Sequence, residues 1–327
     1  MFGRLTIEAL PLYSAIAMGG ALIVVFGTLA VMAAITWMRA WGYLWREWFT
    51  SVDHKRIGAM YVILALIMLV RGFIDAIMMR TQQAIAVNSD GYLPPDHFDQ
   101  IFSSHGTIMI FFMAMPFLTG LINLVMPQQI GARDVAFPYI NAMSLWLTAS
   151  GAALVMVSLV IGKFSTAGWT AYPPYSGIDY SPYVGVDYWV WAVLLSGIGS
   201  TLSGINFLVT IIRKRAPGMK LMFMPLFTWT TLCTSVLMAF AFPAVTVVGV
   251  LLELDRRTHP ARGDLDRHPV ADLEVQDRAP VVGVDLGVDG PRLGARLRGA
   301  VPERVPRRQT EALRVGEEQQ PGPGDRP

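Results

Sequence analysis

The sequence of 327 residues holds a single cysteine, Cys233, and five histidines. One thiol excludes an intrachain disulfide framework and any metal centre built on paired cysteines. Charge is scarce too: charged residues make up 15% of the chain against 53% hydrophobic, a balance outside the usual range for a soluble domain. Long apolar runs are what the chain has in excess, and they set the fold class.

Six such runs stand out, at about Ser14 to Met38, Ile57 to Met79, Ile101 to Met126, Tyr139 to Gly162, Val186 to Ile212 and Met222 to Leu252. A helix rising about 1.5 Å per residue needs roughly 20 residues to cross a bilayer core, and every run is long enough. The expectation is an all-α integral membrane protein, a transmembrane bundle of six helices over residues 1–252. The first run exceeds the h-region of a secretory signal, and Trp37, Trp41, Trp45 and Trp48 follow it. Tryptophans at that spacing mark a headgroup belt beyond a retained helix.

Basic residues in the short connections give the orientation. Arg39, Arg46, Lys55 and Arg56 follow the first run, Arg133 follows the third, and Arg213, Lys214, Arg215 and Lys220 follow the fifth. The second and fourth connections carry only Arg80 and Lys163. The positive-inside rule then places the N-terminus on the outer face.

The net charge of +2 conceals two unlike segments. Residues 253–327 hold 13 of the 26 basic residues, all arginine, and 14 of the 24 acidic ones, yet no Lys, Asn, Ile, Phe, Tyr, Met, Trp, Cys or Ser. Without large apolar side chains no core can be buried, so this Arg/Pro/Gly-rich tail is expected to be disordered, and no function is assigned to it. The missing residues include those with AT-rich codons, which suggests a GC-rich gene read out of frame from about Val248. A genuine low-complexity linker is the alternative.

Ionisable groups inside the apolar runs are the functional candidates. His105 lies four residues into the third run, where an imidazole is costly unless a partner or a metal holds it. A helix-end histidine bonded to a backbone carbonyl is the plain alternative. Arg71 and Asp75 stand at i and i+4 in the second run, on one helix face. They can survive at depth as a structural ion pair, since each neutralises the other. His97 and Gln100, at i and i+3, are placed just before the third helix begins. Arg, Asp, His and Gln together can bond both carbonyl oxygens of a quinone and take protons from its hydroxyls.

The stretches TSVDHKRIGAMYVILALIMLVRGFIDAIMMR, LPPDHFDQIFSSHGTIMIFFMAMPFLTGLINLVMPQQIGARDVAFPYIN, GWTAYPPYSGIDYSPYVGVDYWVW and INFLVTIIRKRAPGM resemble subunit I of the haem-copper terminal oxidases, specifically the cytochrome bo-type ubiquinol oxidases. The likeness covers almost all of residues 1 to about 248. It implies that His105 is one axial ligand of a low-spin haem b, and that Arg71, Asp75, His97 and Gln100 form the ubiquinol site, with Asp75 and His97 as proton acceptors. Asp134, with Asn123 and Asn141, is similar to the mouth of the family's proton channel. A solvated surface pair of Arg133 with Asp134 is the simpler reading of those two neighbours. Arg80, Trp169 and Tyr172 are similar to the outer-face region that covers the haem propionates, although an interfacial aromatic belt predicts the same aromatics.

The same resemblance implies a high-spin haem of o or a type and copper in the full-length enzyme. It also implies oxygen reduction to water with proton pumping, partner subunits II, III and a small IV, membrane lipid and ubiquinol as associates with no nucleic acid, and a bacterial inner membrane with a periplasmic N-terminus. Yet the family's His-Pro-Glu-Val-Tyr motif, its His-His pair and its remaining haem histidines do not occur here. Only His259 and His268 follow His105, each before a proline, so the copper ligands are absent and the chain alone is expected to be inactive. A cytochrome c oxidase subunit I, a non-catalytic membrane or transport protein, and six helices that fold but bind nothing are the rival readings.

Overall fold

The computed structural model describes residues 10–87 and 89–258. Among them are six helices long and apolar enough to cross a membrane: α1 (Ala15–Trp37), α2 (His54–Ile85), α3 (Pro95–Gln129), α4 (Pro138–Val157), α5 (Gly185–Arg213) and α6 (Leu226–Thr258). No strand occurs among the described residues. His259 and His268 lie outside them.

Helix starts are set by caps rather than by hydropathy. Ser14 Oγ accepts from the Ile16 N–H at the head of α1, and Asp53 Oδ1 accepts from the Lys55 N–H at 3.0 Å at the head of α2. α3 and α4 open on Pro95 and Pro138, where a missing N–H costs nothing and the ring presets φ. α3 therefore begins six residues before the apolar run at Ile101, and His97 and Gln100 stand in its first two turns instead of in the preceding loop. Charged and polar first turns hid this start from a hydropathy reading.

α5 is the central helix, packed along α4 on one side and α6 on the other, while α2 lies against α3 and α4. Met68, Phe112, Val155, Trp189 and Val193 form the main core, and Met126, Phe207, Ile211 and Met224 form a second one toward the other end. Where α2 crosses α3 the backbones nearly touch: a Cβ on Gly58 would lie 2.9 Å from the Gly120 carbonyl oxygen, and one on Gly120 would lie 2.8 Å from that of Gly58. Small residues are what let two membrane helices approach so closely. α1 is peripheral and buries only Ala21. Within α3, residues Ile108–Ala114 form a π-helical turn just ahead of Pro116, which has no N–H to continue regular bonding.

The connections alternate between the two ends of the bundle. Gly131 to Asp134 and Lys214 to Pro217 share one cavity, and His54 touches Asp134, so the first, third and fifth connections meet at the basic end. At the opposite end the α4–α5 connection is tied to the foot of α6 by Arg256. That side chain is fully buried, with Nε 2.9 Å from Asp187 Oδ1 and its guanidinium donating to the carbonyls of Ser176, Ser181 and Tyr183 at 2.8, 3.0 and 3.0 Å. Four acceptors compensate the charge, and α6 runs on through residues 253–258, past the composition boundary at 252.

Candidate functional site

Three groups of polar side chains stand inside this apolar bundle. The first lines a cavity of about 340 Å³ between α1, α2 and α3. Arg71 and Asp75, one turn apart on α2, are in direct contact within it, and Asp75 has no exposed surface. Ser104 Oγ on α3 donates to the second carboxylate oxygen, Asp75 Oδ2, at 3.1 Å. His97 and Gln100, both buried, complete the polar side. Apolar residues of α1, among them Ile16, Ile23 and Val24, form the facing wall. A mostly apolar hollow with a few convergent polar groups, large enough for a ring, is how small-molecule sites are built.

The second group centres on His105, half-buried on α3. Its Nδ1 lies 2.9 Å from the Gly72 carbonyl oxygen. A carbonyl only accepts, so the proton sits on Nδ1 and the Nε2 lone pair is left to bind a metal. The plain alternative and the ligand reading thus coexist: the backbone bond fixes the ring that iron would use. Trp169 packs against the next residue, where a Cβ on Gly106 would meet its side chain at 2.9 Å. Arg80 is exposed and donates to Gln83 at 3.0 Å, and Tyr172 is 70% exposed, so neither lines the cavity. Among the described residues, no three His, Cys, Asp or Glu side chains converge to hold a metal ion.

The third group runs up the bundle from its basic end. Asp134 pairs not with its neighbour Arg133 but with His54, whose Nδ1 is 3.1 Å from Asp134 Oδ1; the same oxygen accepts from the Val135 N–H at 2.7 Å. Further in, Asn141 Nδ2 donates to Asn123 Oδ1 at 2.7 Å, both side chains fully buried. Tyr61 OH then donates to Ser144 Oγ at 3.0 Å, and Ser203 Oγ donates to the same oxygen at 3.0 Å. His54, Tyr61, Ser144 and Ser203 were not singled out by the sequence. Hydroxyls are unremarkable in membrane helices, and His54 sits in the charged string DHKR, where a histidine looks like surface. Outside the spans, burial pushes the Tyr92 phenol up from its usual range while its OH donates to the Met78 carbonyl at 2.6 Å.

These features define a multi-pass helical membrane protein that carries ionisable groups at membrane depth. Comparison with known proteins gives the family. The family model for cytochrome c and quinol oxidase polypeptide I matches residues 56–269, and the chain belongs to that family. It is 57% identical over 257 residues to the cytochrome bo(3) ubiquinol oxidase subunit 1 of Buchnera aphidicola subsp. Acyrthosiphon pisum (strain APS), covering 78% of this chain and 39% of that protein. It is 60% identical over 257 residues to the ubiquinol oxidase subunit 1 of Acetobacter aceti, with the same coverage of 78% and 39%. The probable cytochrome c oxidase subunit 1 of Bradyrhizobium diazoefficiens is 54% identical over 260 residues, 78% of this chain and 38% of that protein. The chain thus spans about two fifths of the length of these relatives. Each of these relatives is named as subunit 1 of an oxidase.

Proposed function

We propose that this chain supplies the quinol site and one low-spin haem ligand of subunit I of a ubiquinol:oxygen oxidoreductase. The observation that carries the reading is the meeting of Arg71, Asp75, His97 and Gln100 in one cavity of quinone size. Arg71 and Gln100 can donate to the quinone oxygens, and Asp75 and His97 can accept the quinol protons. Ser104 holds one carboxylate oxygen of Asp75 and Arg71 the other, so the base is fixed in place before substrate arrives.

The residues present fit haem on one side. His105, its Nδ1 proton committed to Gly72, would offer Nε2 to the haem iron, and Trp169, packed against the neighbouring Gly106, would stand beside that ligand, whereas Arg80 and Tyr172, proposed for the propionate region, are exposed. Low-spin haem b held there would supply one-electron redox chemistry for quinol oxidation, and in the full-length enzyme a high-spin haem of o or a type and copper would supply the reduction of oxygen to water. The copper ligands are not among the described residues, and the chain by itself is proposed to be inactive in oxygen reduction.

The polar chain from Asp134 and His54 through Asn123 and Asn141 to Tyr61 supports proton uptake from the basic, cytoplasmic end of a bacterial inner-membrane protein with its N-terminus outside, and a proton-pumping role. Asn141 Oδ1 and His54 Nε2 are buried with no protein acceptor or donor among the described residues, and such atoms are where ordered water bridges a polar path. Subunits II and III and a small subunit IV are the proposed partners. The Bradyrhizobium relative's name favours a second reading, a cytochrome c oxidase subunit, in which the quinone-sized cavity would have no task.

Binding of decylubiquinone to the full chain in lipid nanodiscs tests the proposal. We expect saturable binding that weakens at least tenfold in Asp75→Asn and in Arg71→Leu. A wild-type chain that takes up no more decylubiquinone than empty nanodiscs removes the quinol reading and leaves the cytochrome c alternative.

A further inference from the structure

Oxidising a quinol releases two electrons and two protons, and the protons need a way out of a pocket walled by apolar side chains. Asp75 does not provide one by itself: it has no exposed surface, and its two oxygens are held by Arg71 and Ser104. A second cavity, of about 160 Å³, adjoins the quinone-sized one and shares Gln100 and Phe164 with it. At roughly 30 Å³ per water it has room for several. Its remaining walls are largely polar: Asp96 from the first turn of α3, and Lys163, Ser165, Tyr180 and Tyr183 from the α4–α5 connection. Asp96 and Gln100 stand at i and i+4 on α3, one above the other, with Gln100 buried and Asp96 exposed. The two residues therefore span the distance from the quinone-sized cavity to the surface at the end of the bundle opposite the basic connections.

Resting on the quinol reading, we infer that this second cavity is the outlet for the quinol protons, with Gln100 at its inner wall and the Asp96 carboxylate as the acceptor at its mouth. Its roof is held by the buried Arg256, which binds the carbonyls of Ser181 and Tyr183, so the cavity is a built feature and not a gap beneath a loose connection. Lys163 lies over the Tyr183 ring, 5.4 Å from its centroid, which places a fixed positive charge in the wall.

The test uses the full chain in nanodiscs loaded with decylubiquinol, freed of excess ligand, and mixed in a stopped-flow instrument with ferricyanide and a pH-indicator dye. One decylubiquinol and two ferricyanide give one decylubiquinone, two ferrocyanide and two protons, so electrons and protons are followed separately. Two variants probe the outlet: Asp96→Asn removes the acceptor at an exposed position, and Ser165→Leu fills the cavity without touching the quinone-sized one. Both should bind decylubiquinol as wild type does and release protons at least tenfold more slowly, with a larger slowing in D2O. Release within twofold of wild type in both variants overturns the outlet while leaving the quinol site standing. A wild-type chain that binds no decylubiquinol overturns both.

Discussion

Arg71 and Asp75 pose the question of every buried ion pair: whether it stabilises the fold or serves chemistry. Removing one partner leaves the other uncompensated at depth, which typically costs about 3–5 kcal/mol, whereas replacing both with apolar groups of similar volume is often neutral. Asp75→Ala is therefore expected to lower the unfolding midpoint of the full chain strongly, and the double variant Arg71→Met/Asp75→Leu to restore most of it. If the pair serves quinol chemistry, that restored fold still binds no decylubiquinone. Recovery of both stability and binding would mark the pair as structural.

His105 and His54 mark the limits of what single residues disclose. His105 was conspicuous because it interrupts an apolar run, and its bond to the Gly72 carbonyl orients the ring as a ligand would need. We expect His105→Ala to weaken haem uptake by the chain at least tenfold, read by Soret titration, with little change in the helical circular dichroism. His54 was inconspicuous for the opposite reason, since charged neighbours at a helix start mask a buried ring. Asp134, adjacent in sequence to Arg133, pairs instead with His54 from another helix, and no pattern along the chain encodes that. His54→Ala removes one hydrogen bond to a carboxylate that is 37% exposed and can rehydrate, so the loss should be about 1 kcal/mol, read as a small drop in thermal midpoint.

Among elements, the six helices were legible because each must supply enough apolar length to cross the bilayer, and that demand is written in composition. Their first turns were not. α2 and α3 begin on capping and proline signals in polar sequence, so the part of α3 that carries His97 and Gln100 was read as loop. Contacts between helices were hidden as well, because they depend on which small residues face each other. Gly58 and Gly120 are the clearest case, each approaching the other's backbone. Gly120→Leu should separate α2 from α3 and cost several kcal/mol, seen as unfolding at lower denaturant, while Gly19→Leu on α1, with nothing within 4 Å, should be nearly neutral.

For the molecule as a whole, the decisive fact is the change of composition near the end of α6. A break from about Val248, the position read from composition, sits uneasily with Arg256, whose guanidinium is fully buried against Asp187 and three carbonyls of the preceding connection. A side chain matched to four acceptors from distant positions belongs to the helical bundle, so the structured part runs at least to Arg256. The residues absent beyond that point, among them Ile, Phe, Tyr and Met, are ones that the preceding membrane helices use throughout. If the gene changes frame there, translating the other two frames downstream of the Thr258 codon yields, in one of them, an apolar run of roughly 20 residues containing histidine. Should neither frame give such a run, the Arg/Pro/Gly-rich segment is a real linker.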